Sequence, residues 1–252
     1  MLDSGFRRTA LIVTLGCRLN QADSALLTDR LRQLGFRMLE PGTTEKPALV
    51  VINSCTVTAA AAAKSRQAAR RFGKLYPGAL VVLTGCSAEL DYGQRHAPGE
   101  DFVVLSNPEK RDLGSLLERF LAGTLPETPV ARSMDEPVAP FREKAFGRFP
   151  FRSRAFIKIQ EGCNNFCSYC IVPYARGRER SRALDEVSAD CRQAVAAGFP
   201  ELVLTGVNTC AYADGGRGLN DLIDWLCAEI PGSWRLRLSS TEPSPDNFGL
   251  LE

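Results

Sequence analysis

Two things are scarce in this sequence: long apolar runs and histidine. No apolar stretch approaches the ~20 residues needed to span a bilayer, and residues 1–10 show neither a long apolar segment nor a small-residue cleavage site. Neither a membrane protein nor a secreted one is expected, and the reading is a cytoplasmic chain with no membrane partner. His96 is the only histidine and lies far in sequence from Cys163, Cys167 and Cys170, so no nearby imidazole completes a mixed zinc site there. There is no internal repeat, and the one low-complexity tract is the alanine run 59–63. Nor does charge of one sign dominate: the formal charge is +2, so only its distribution is informative.

What is present suits one or two folded domains. The chain has 252 residues, 44% of them hydrophobic and 24% charged, enough to bury a real core. Nine cysteines are odd in number and too few for a disulfide scaffold at this length. In a cytosolic chain, patterned cysteines point to metal or catalysis.

Apolar runs alternate with helical patterns through the first half. Residues 9–14 (TALIVT), 48–53 (ALVVIN), 79–84 (ALVVLT) and 101–105 (DFVVL) read as strands. Residues 21–34 place Leu26, Leu27, Leu31 and Leu34 at helical spacing, ended by Gly35. Residues 58–76 form an alanine-rich helix with a basic face (Lys64, Arg66, Arg70, Arg71), stopped by Pro77-Gly78. Residues 108–121 make another helix, capped by Asn107 and opened by Pro108. Strict β/α alternation predicts α/β architecture: a doubly wound parallel sheet over residues 1–124. Residues 125–153, with prolines at 126, 129, 137, 140 and 150, read as a linker. A second β/α series follows, with strands at 156–160, 201–205 and 234–238, helices at 184–197 and 219–230, and the entry to another helix at 247–252. Three parallel strands do not close a barrel. Residues 154–252 are therefore expected to be a partial (β/α) barrel, incomplete at the C-terminus.

Cys163, Cys167 and Cys170 lie within eight residues after the first strand of that series. Gly162, Asn164 and Asn165 suit the tight loop this demands. Soft thiolates select zinc, copper(I) or iron–sulfur clusters. A structural zinc takes four protein ligands, and no fourth Cys or His is near in sequence. A fully ligated [4Fe–4S] cluster also takes four cysteines, so three would leave one iron open to substrate or cofactor. Cys17, Cys55 and Cys86 look scattered, yet each closely follows a strand (TALIVTLGC, ALVVINSC, ALVVLTGC). In an open parallel sheet the carboxyl ends of the strands form the ligand crevice, so these three can converge, with Gly16 and Gly85 giving the backbone freedom to turn. The alternative is that buried cysteines are simply common. That alternative is favoured for Cys191 and Cys227, on helices, while Cys210 in a loop is left open.

The motif C-x-x-x-C-x-x-C after a first β-strand resembles the radical S-adenosylmethionine superfamily, with Tyr169 as the aromatic commonly preceding the last cysteine. Two cysteine triplets in this order resemble the methylthiotransferase family within it. The supporting strings are TLGCRLNQADS (14–24), INSCTVT (52–58), KSRQAARR (64–71), LTGCSAEL (83–90), RAFIKIQEGCNNFCSYCIVPYARGRERSR (154–182), LVLTGVN (202–208) and RLRLSSTEP (235–243). They look most like the branch acting on N6-threonylcarbamoyladenosine in tRNA. The resemblance implies two [4Fe–4S] clusters, on Cys17/Cys55/Cys86 and on Cys163/Cys167/Cys170, with S-adenosylmethionine bound at the second. It implies radical formation at the second cluster, sulfur delivery from the first to adenine C2, and a methyl group from another S-adenosylmethionine. By position, Thr205, Gly206 and Asn208, and then Ser239 and Ser240, are candidates to contact that cofactor. The electron donor and sulfur source are unidentified. The family also implies further barrel elements and a C-terminal RNA-binding domain beyond Glu252. Other readings are a sister enzyme that modifies an aspartate of a ribosomal protein, and a non-catalytic fragment binding metal or RNA.

Charge is uneven. Residues 142–182 hold ten Lys or Arg against three Glu, with eight aromatics from Phe141 to Tyr174 interleaved. Basic residues meet phosphates and aromatics stack bases. Arg176, Arg178, Arg180 and Arg182, beside the second triplet, are the candidates to position a tRNA anticodon loop. A solvated linker and surface loop is the alternative. Phe156 is expected in the core.

Overall fold

The computed structural model describes residues 8–90, 102–107, 113–122, 124, 153–239 and 241–242. The chain divides into two compact units, Met1–Asn20 with Leu27–Met134, and Gln21–Leu26 with Asp135–Glu252. Nearly all of the expected linker 125–153, and the helix entry expected at 247–252, lie outside the described residues.

In the first unit the elements are β1 (Thr9–Thr14), α1 (Arg18–Gln33, of which residues 21–26 group with the second unit), β2 (Arg37–Met38), β3 (Leu49–Ser54), α2 (Ala59–Leu75), β4 (Leu80–Gly85), α3 (Cys86–Leu90), β5 (Val103–Val104) and α4 (Leu113–Leu121). All five strands are parallel, in the order β2-β1-β3-β4-β5. β3 and β4 are buried along their whole length. This is why they read as unbroken Val/Leu/Ile runs rather than alternating ones.

The strand period of two sorts these side chains to opposite faces. Leu49, Val51, Leu80 and Val82 pack with Leu27 and Leu31 of α1 and Leu113 and Leu117 of α4. Val50, Ile52, Val81 and Leu83 pack with Ala69 of α2. The sheet is doubly wound. Each fully buried Leu or Ile contributes about 1.5–3 kcal/mol of burial. Truncating one such as Leu83 would cost about 2–5 kcal/mol once the cavity is counted. α2 starts where the Thr58 hydroxyl accepts from Ala61 N at 3.1 Å, and it ends at Leu75 with Tyr76 as its C-cap, just before Pro77 and Gly78, whose φ is +90°.

In the second unit β6 (Arg154–Lys158), β9 (Glu201–Thr205) and β10 (Arg235–Leu238) form a parallel sheet in the order β10-β9-β6. β7 (Gln160–Glu161) and β8 (Arg180–Ser181) form an antiparallel pair, with α5 (Val172–Arg176) between them. α6 (Leu184–Ala196) and α7 (Leu219–Glu229) cover one face of the three-stranded sheet. The shared core includes Ala155, Ile157, Leu202, Leu204, Leu184, Val187, Leu222 and Leu226. Ala183 cannot cap α6, and Asp214 Oδ2 from a later loop accepts Leu184 N at 3.0 Å instead. This is the partial barrel the sequence led us to expect. Among the described residues no helix is long and apolar enough to cross a membrane.

Two expectations fail. Phe156 is half-buried and lies outside the core, because it points away from the face that Ala155 and Ile157 present to α6 and α7. Cys227 is exposed, on the solvent side of α7, whereas Leu222 and Leu226 form its buried stripe. Cys191 is fully buried, as expected.

Candidate functional site

At the first unit's sheet edge, Cys17, Cys55 and Cys86 leave three adjacent strands. Cys17 sits at the N-cap of α1, Cys55 directly follows β3, and Cys86 opens α3 directly after β4. Register brings the exits level, with Thr14 opposite Asn53 and Ser54 opposite Gly85. Gly16, at φ +97°, is required here: a Cβ on it would lie 2.5 Å from Cys55 Cβ and 2.6 Å from Cys55 Sγ.

Buried polar side chains hold these exits. Asn20 Nδ2 donates to Leu15 O at 2.8 Å and to Ser54 O at 2.7 Å, and Asn53 Nδ2 donates to Asn20 O at 2.8 Å. The Ser65 hydroxyl of α2 accepts from Cys55 N at 3.3 Å and donates to Ala61 O at 2.9 Å. Ser54 Oγ accepts from Ser87 N at 3.1 Å and from Ala88 N at 3.3 Å, serving the first turn of α3. Cys55 and Cys86 are buried, and Cys17 is exposed.

In the second unit the cysteine loop follows β7 through Gly162, at φ +75°. Cys163 is buried, and Cys167 and Cys170 are half-buried. Cys163 Sγ accepts from Asn165 N at 3.5 Å, and Cys170 N donates to Cys167 O at 2.9 Å. Phe166 has φ +47°, the one non-glycine residue with positive φ among those described. Its ring meets Tyr174 edge-on, with centroids 5.8 Å apart, and carries the Arg178 guanidinium 4.6 Å from its centroid. These contacts hold the strained turn in place. Tyr169 is 89% exposed, and its phenol is held above its ordinary pKa first by the charge of Cys167 and then by their hydrogen bond.

The loop after β9 approaches the same ground. Gln160 Nε2 donates to Gly162 O at 2.7 Å, and its Oε1 accepts from Val207 N at 3.0 Å and Asn208 N at 3.1 Å. Glu242 Oε2 accepts from Asn165 Nδ2 at 3.3 Å and from Asn208 Nδ2 at 3.2 Å. Of the expected cofactor contacts, Thr205 and Ser239 have buried hydroxyl oxygens with no hydrogen-bond partner. Two such atoms at the carboxyl edge of one sheet suit a polar ligand that would pair them. Gly206 is buried against Gln160, Asn208 caps the 3-10 turn Thr209–Ala211, and Ser240 lies outside the described residues. Cys210 is in that turn, half-buried against the core.

The arginine run splits. Arg176 is buried, its guanidinium 2.9 Å from Glu161 Oε1 and 3.1 Å from Asp23 Oδ2, both in the second unit. Arg182 is buried too, donating to Asp190 Oδ2 at 2.8 Å and to Lys158 O at 3.0 Å. The expectation that these two face RNA is corrected, because their donors already serve buried carboxylates and a carbonyl. Arg180 is 3.1 Å from Glu161 Oε2 with its side chain 14% exposed, and Arg178 is exposed. Lys158 completes the cluster, 2.6 Å from Asp23 Oδ1 and 3.6 Å from Glu161 Oε2. Burial acts most strongly on Glu161 and opposes its ionisation. Lys158, Arg176 and Arg180 together outweigh it and hold the carboxyl well below its usual pKa. A buried Lys and Arg survive only when paired in this way.

The donor set suits iron–sulfur chemistry in kind. All nine cysteines are free thiols; Cys17, Cys55 and Cys86 stand at the carboxyl ends of three parallel strands, and Cys163, Cys167 and Cys170 share the loop after β7. Among the described residues the side chains as they stand gather no three His, Cys, Asp or Glu groups tightly enough to hold a metal ion. Gln160, Asn20, Asn53, Ser54, Ser65 and Glu242 were not singled out by residue pattern, although all six lie within the strings quoted above. Their partners are remote in sequence, and no local pattern marks them.

Residues 9–104 match the family described as Uncharacterized protein family UPF0004, and residues 157–246 match the Radical SAM superfamily. The chain is 39% identical over 236 residues to the threonylcarbamoyladenosine tRNA methylthiotransferase MtaB of Chlamydia pneumoniae, covering 93% of this chain and 51% of that one. It is 36% identical over 247 residues to the enzyme of the same name from Bacillus subtilis, covering 97% and 54%. The chain thus spans about half the length of these curated relatives. Among solved structures, the radical S-adenosylmethionine methyltransferase TsrM from Kitasatospora setae superposes with a TM-score of 0.54 at 17% identity, covering 81% of this chain and 48% of that one. At that identity the likeness shows fold alone.

Proposed function

Because this chain belongs to the radical S-adenosylmethionine methylthiotransferase family, we propose that it carries the catalytic half of a tRNA methylthiotransferase acting at adenine C2 of N6-threonylcarbamoyladenosine. The observation that carries this reading is the match to two such enzymes along 93% and 97% of the chain. The working compartment would be the cytoplasm.

The superfamily implies a [4Fe–4S] cluster and S-adenosylmethionine. We assign the cluster to Cys163, Cys167 and Cys170, and a second [4Fe–4S] cluster, which would deliver sulfur to the base, to Cys17, Cys55 and Cys86. When bound, these groups supply radical formation, sulfur insertion and methyl transfer. The chain's own residues bind and orient. Three thiolates at each edge would leave one iron open. The Asn165 amide hydrogen bond would steady Cys163 and tune its sulfur. Thr205 and Ser239 would pair their hydroxyls with the polar end of S-adenosylmethionine, beside Gly206 and Asn208. Of the arginine run, exposed Arg178 is the residue best placed to meet a tRNA phosphate, with Arg180 as a weaker contributor.

Two measurements test this. Nucleosides from a strain lacking the full-length gene should lose 2-methylthio-N6-threonylcarbamoyladenosine, and a normal level would sink the substrate assignment. Anaerobically reconstituted chain should hold about eight irons, falling to about four when Cys17, Cys55 and Cys86 become Ala. Stoichiometric zinc without cluster absorption would remove the radical chemistry.

A further inference from the structure

We propose that Gln160 is a positioning residue for S-adenosylmethionine, a strut that sets the distance between the cysteine loop and the 206–208 loop; this rests on the radical enzyme reading above.

Gln160 is fully buried, yet neither end of its amide is wasted. Its Nε2 holds Gly162 O at 2.7 Å, the last carbonyl before Cys163. Its Oε1 takes two consecutive amides, Val207 N at 3.0 Å and Asn208 N at 3.1 Å. One side chain therefore spans from the start of the cysteine loop to residues 47 and 48 positions away. Only an amide can do this. Glutamate has no proton for Gly162 O at neutral pH, and methionine has nothing for either end.

Gly206 is shaped to match. A Cβ there would lie 2.9 Å from Gln160 Oε1 and 3.1 Å from Gln160 Cβ, so only glycine lets the loop come this close. Its φ is not in the left-handed region; the requirement is space, not backbone conformation. The unpartnered Thr205 hydroxyl immediately precedes this joint, and the Asn208 side chain immediately follows it, held by Glu242. A cofactor whose one end binds the open iron and whose other groups meet Thr205, Asn208 and Ser239 needs those two loops at a fixed separation. Cofactor affinity is steeply sensitive to such placement.

The test uses the full chain, reconstituted without oxygen, with iron content, S-adenosylmethionine dissociation constant by equilibrium dialysis, and melting temperature measured together. Gln160→Glu keeps the shape and loses the donor, and Gln160→Met loses both ends. Both should keep their iron and weaken S-adenosylmethionine binding, by about tenfold for Glu and more for Met. Leu222→Ala, a core change remote in sequence from the strut, should lower the melting temperature and leave that affinity unchanged. Gly206→Ala should weaken binding as well, and combining it with Gln160→Met should be clearly less than additive, since both break one joint. Unchanged affinity in folded Gln160→Met, or losses that track melting temperature as closely in Leu222→Ala, would overturn the strut alone. No S-adenosylmethionine binding by the unsubstituted, iron-loaded chain would overturn both the strut and the radical enzyme reading.

Discussion

Replacing Arg176 by Met separates a structural arginine from an RNA-binding one. The substitution keeps most of the apolar stem and removes the guanidinium that lies 2.9 Å from Glu161 and 3.1 Å from Asp23. Removing one partner from a buried ion pair costs about 3–5 kcal/mol, because the remaining charge stays buried. Lys158 still stands 2.6 Å from Asp23, and Arg180 3.1 Å from Glu161, which places the expected loss near the lower end, about 3 kcal/mol. At roughly 2–4 °C per kcal/mol for a chain of this size, the melting midpoint should fall by about 6–12 °C. Circular dichroism melts at low and high salt are the assay. The loss should change little with salt, because buried pairs are weakly screened. A midpoint within about 1 °C of the parent, accompanied by weaker RNA binding, would refute the burial argument and restore Arg176 to the RNA surface.

Three further outcomes are expected. Glu161→Gln should be destabilising at neutral pH. The native carboxyl titrates below its ordinary value of 4.5, so its contribution is complete above about that pH and fades as pH falls. The gap between parent and variant should therefore narrow in acid melts, and a gap that widens would contradict the sign. Gly16→Ala, which sets a Cβ 2.6 Å from Cys55 Sγ, should bring reconstituted iron from about eight toward about four per chain with the fold retained; full iron loading would show that the thiol has room to move. Cys191, fully buried with its thiol pushed up to about 12 mainly by burial, should resist alkylation at pH 8 while exposed Cys227 reacts. Mass spectrometry of modified peptides reads this directly, and equal labelling would disprove the burial of Cys191.

Much of this was legible in residue order. β3 and β4 reveal themselves because strands buried on both faces must be apolar without interruption. The shared edge of Cys17, Cys55 and Cys86 was legible because residues at the ends of adjacent parallel strands lie along one edge whatever the loops do, and the loop of Cys163, Cys167 and Cys170 was legible from spacing alone. β2, β7 and β8 have two residues each, too few to show a period. Arg176 and Arg182 misled for a physical reason. A basic run reads as surface unless its carboxylates can be seen, and Asp23 lies 153 positions from Arg176. Gln160 was invisible for the same reason, since its meaning lies in amides 47 and 48 residues further on.

The Asn20–Asn53–Ser54 hydrogen bonds at the first sheet edge carry a consequence for tolerance. A metal–sulfur bond accepts an error of about 0.2 Å, whereas one step of strand slippage moves a residue by about 3.3 Å and turns it to the other face. A hydrophobic sheet accepts small shear far more readily than a cluster does. These side-chain bonds therefore act as a key in a lock between sliding parts. With the key cut, as in Asn20→Ala, the chain would keep its cores and still miss the tolerance that the cluster proposed on Cys17, Cys55 and Cys86 would demand. Folding and cofactor loading are thus separable demands on the same edge, and intact secondary structure is no guarantee of a chargeable site.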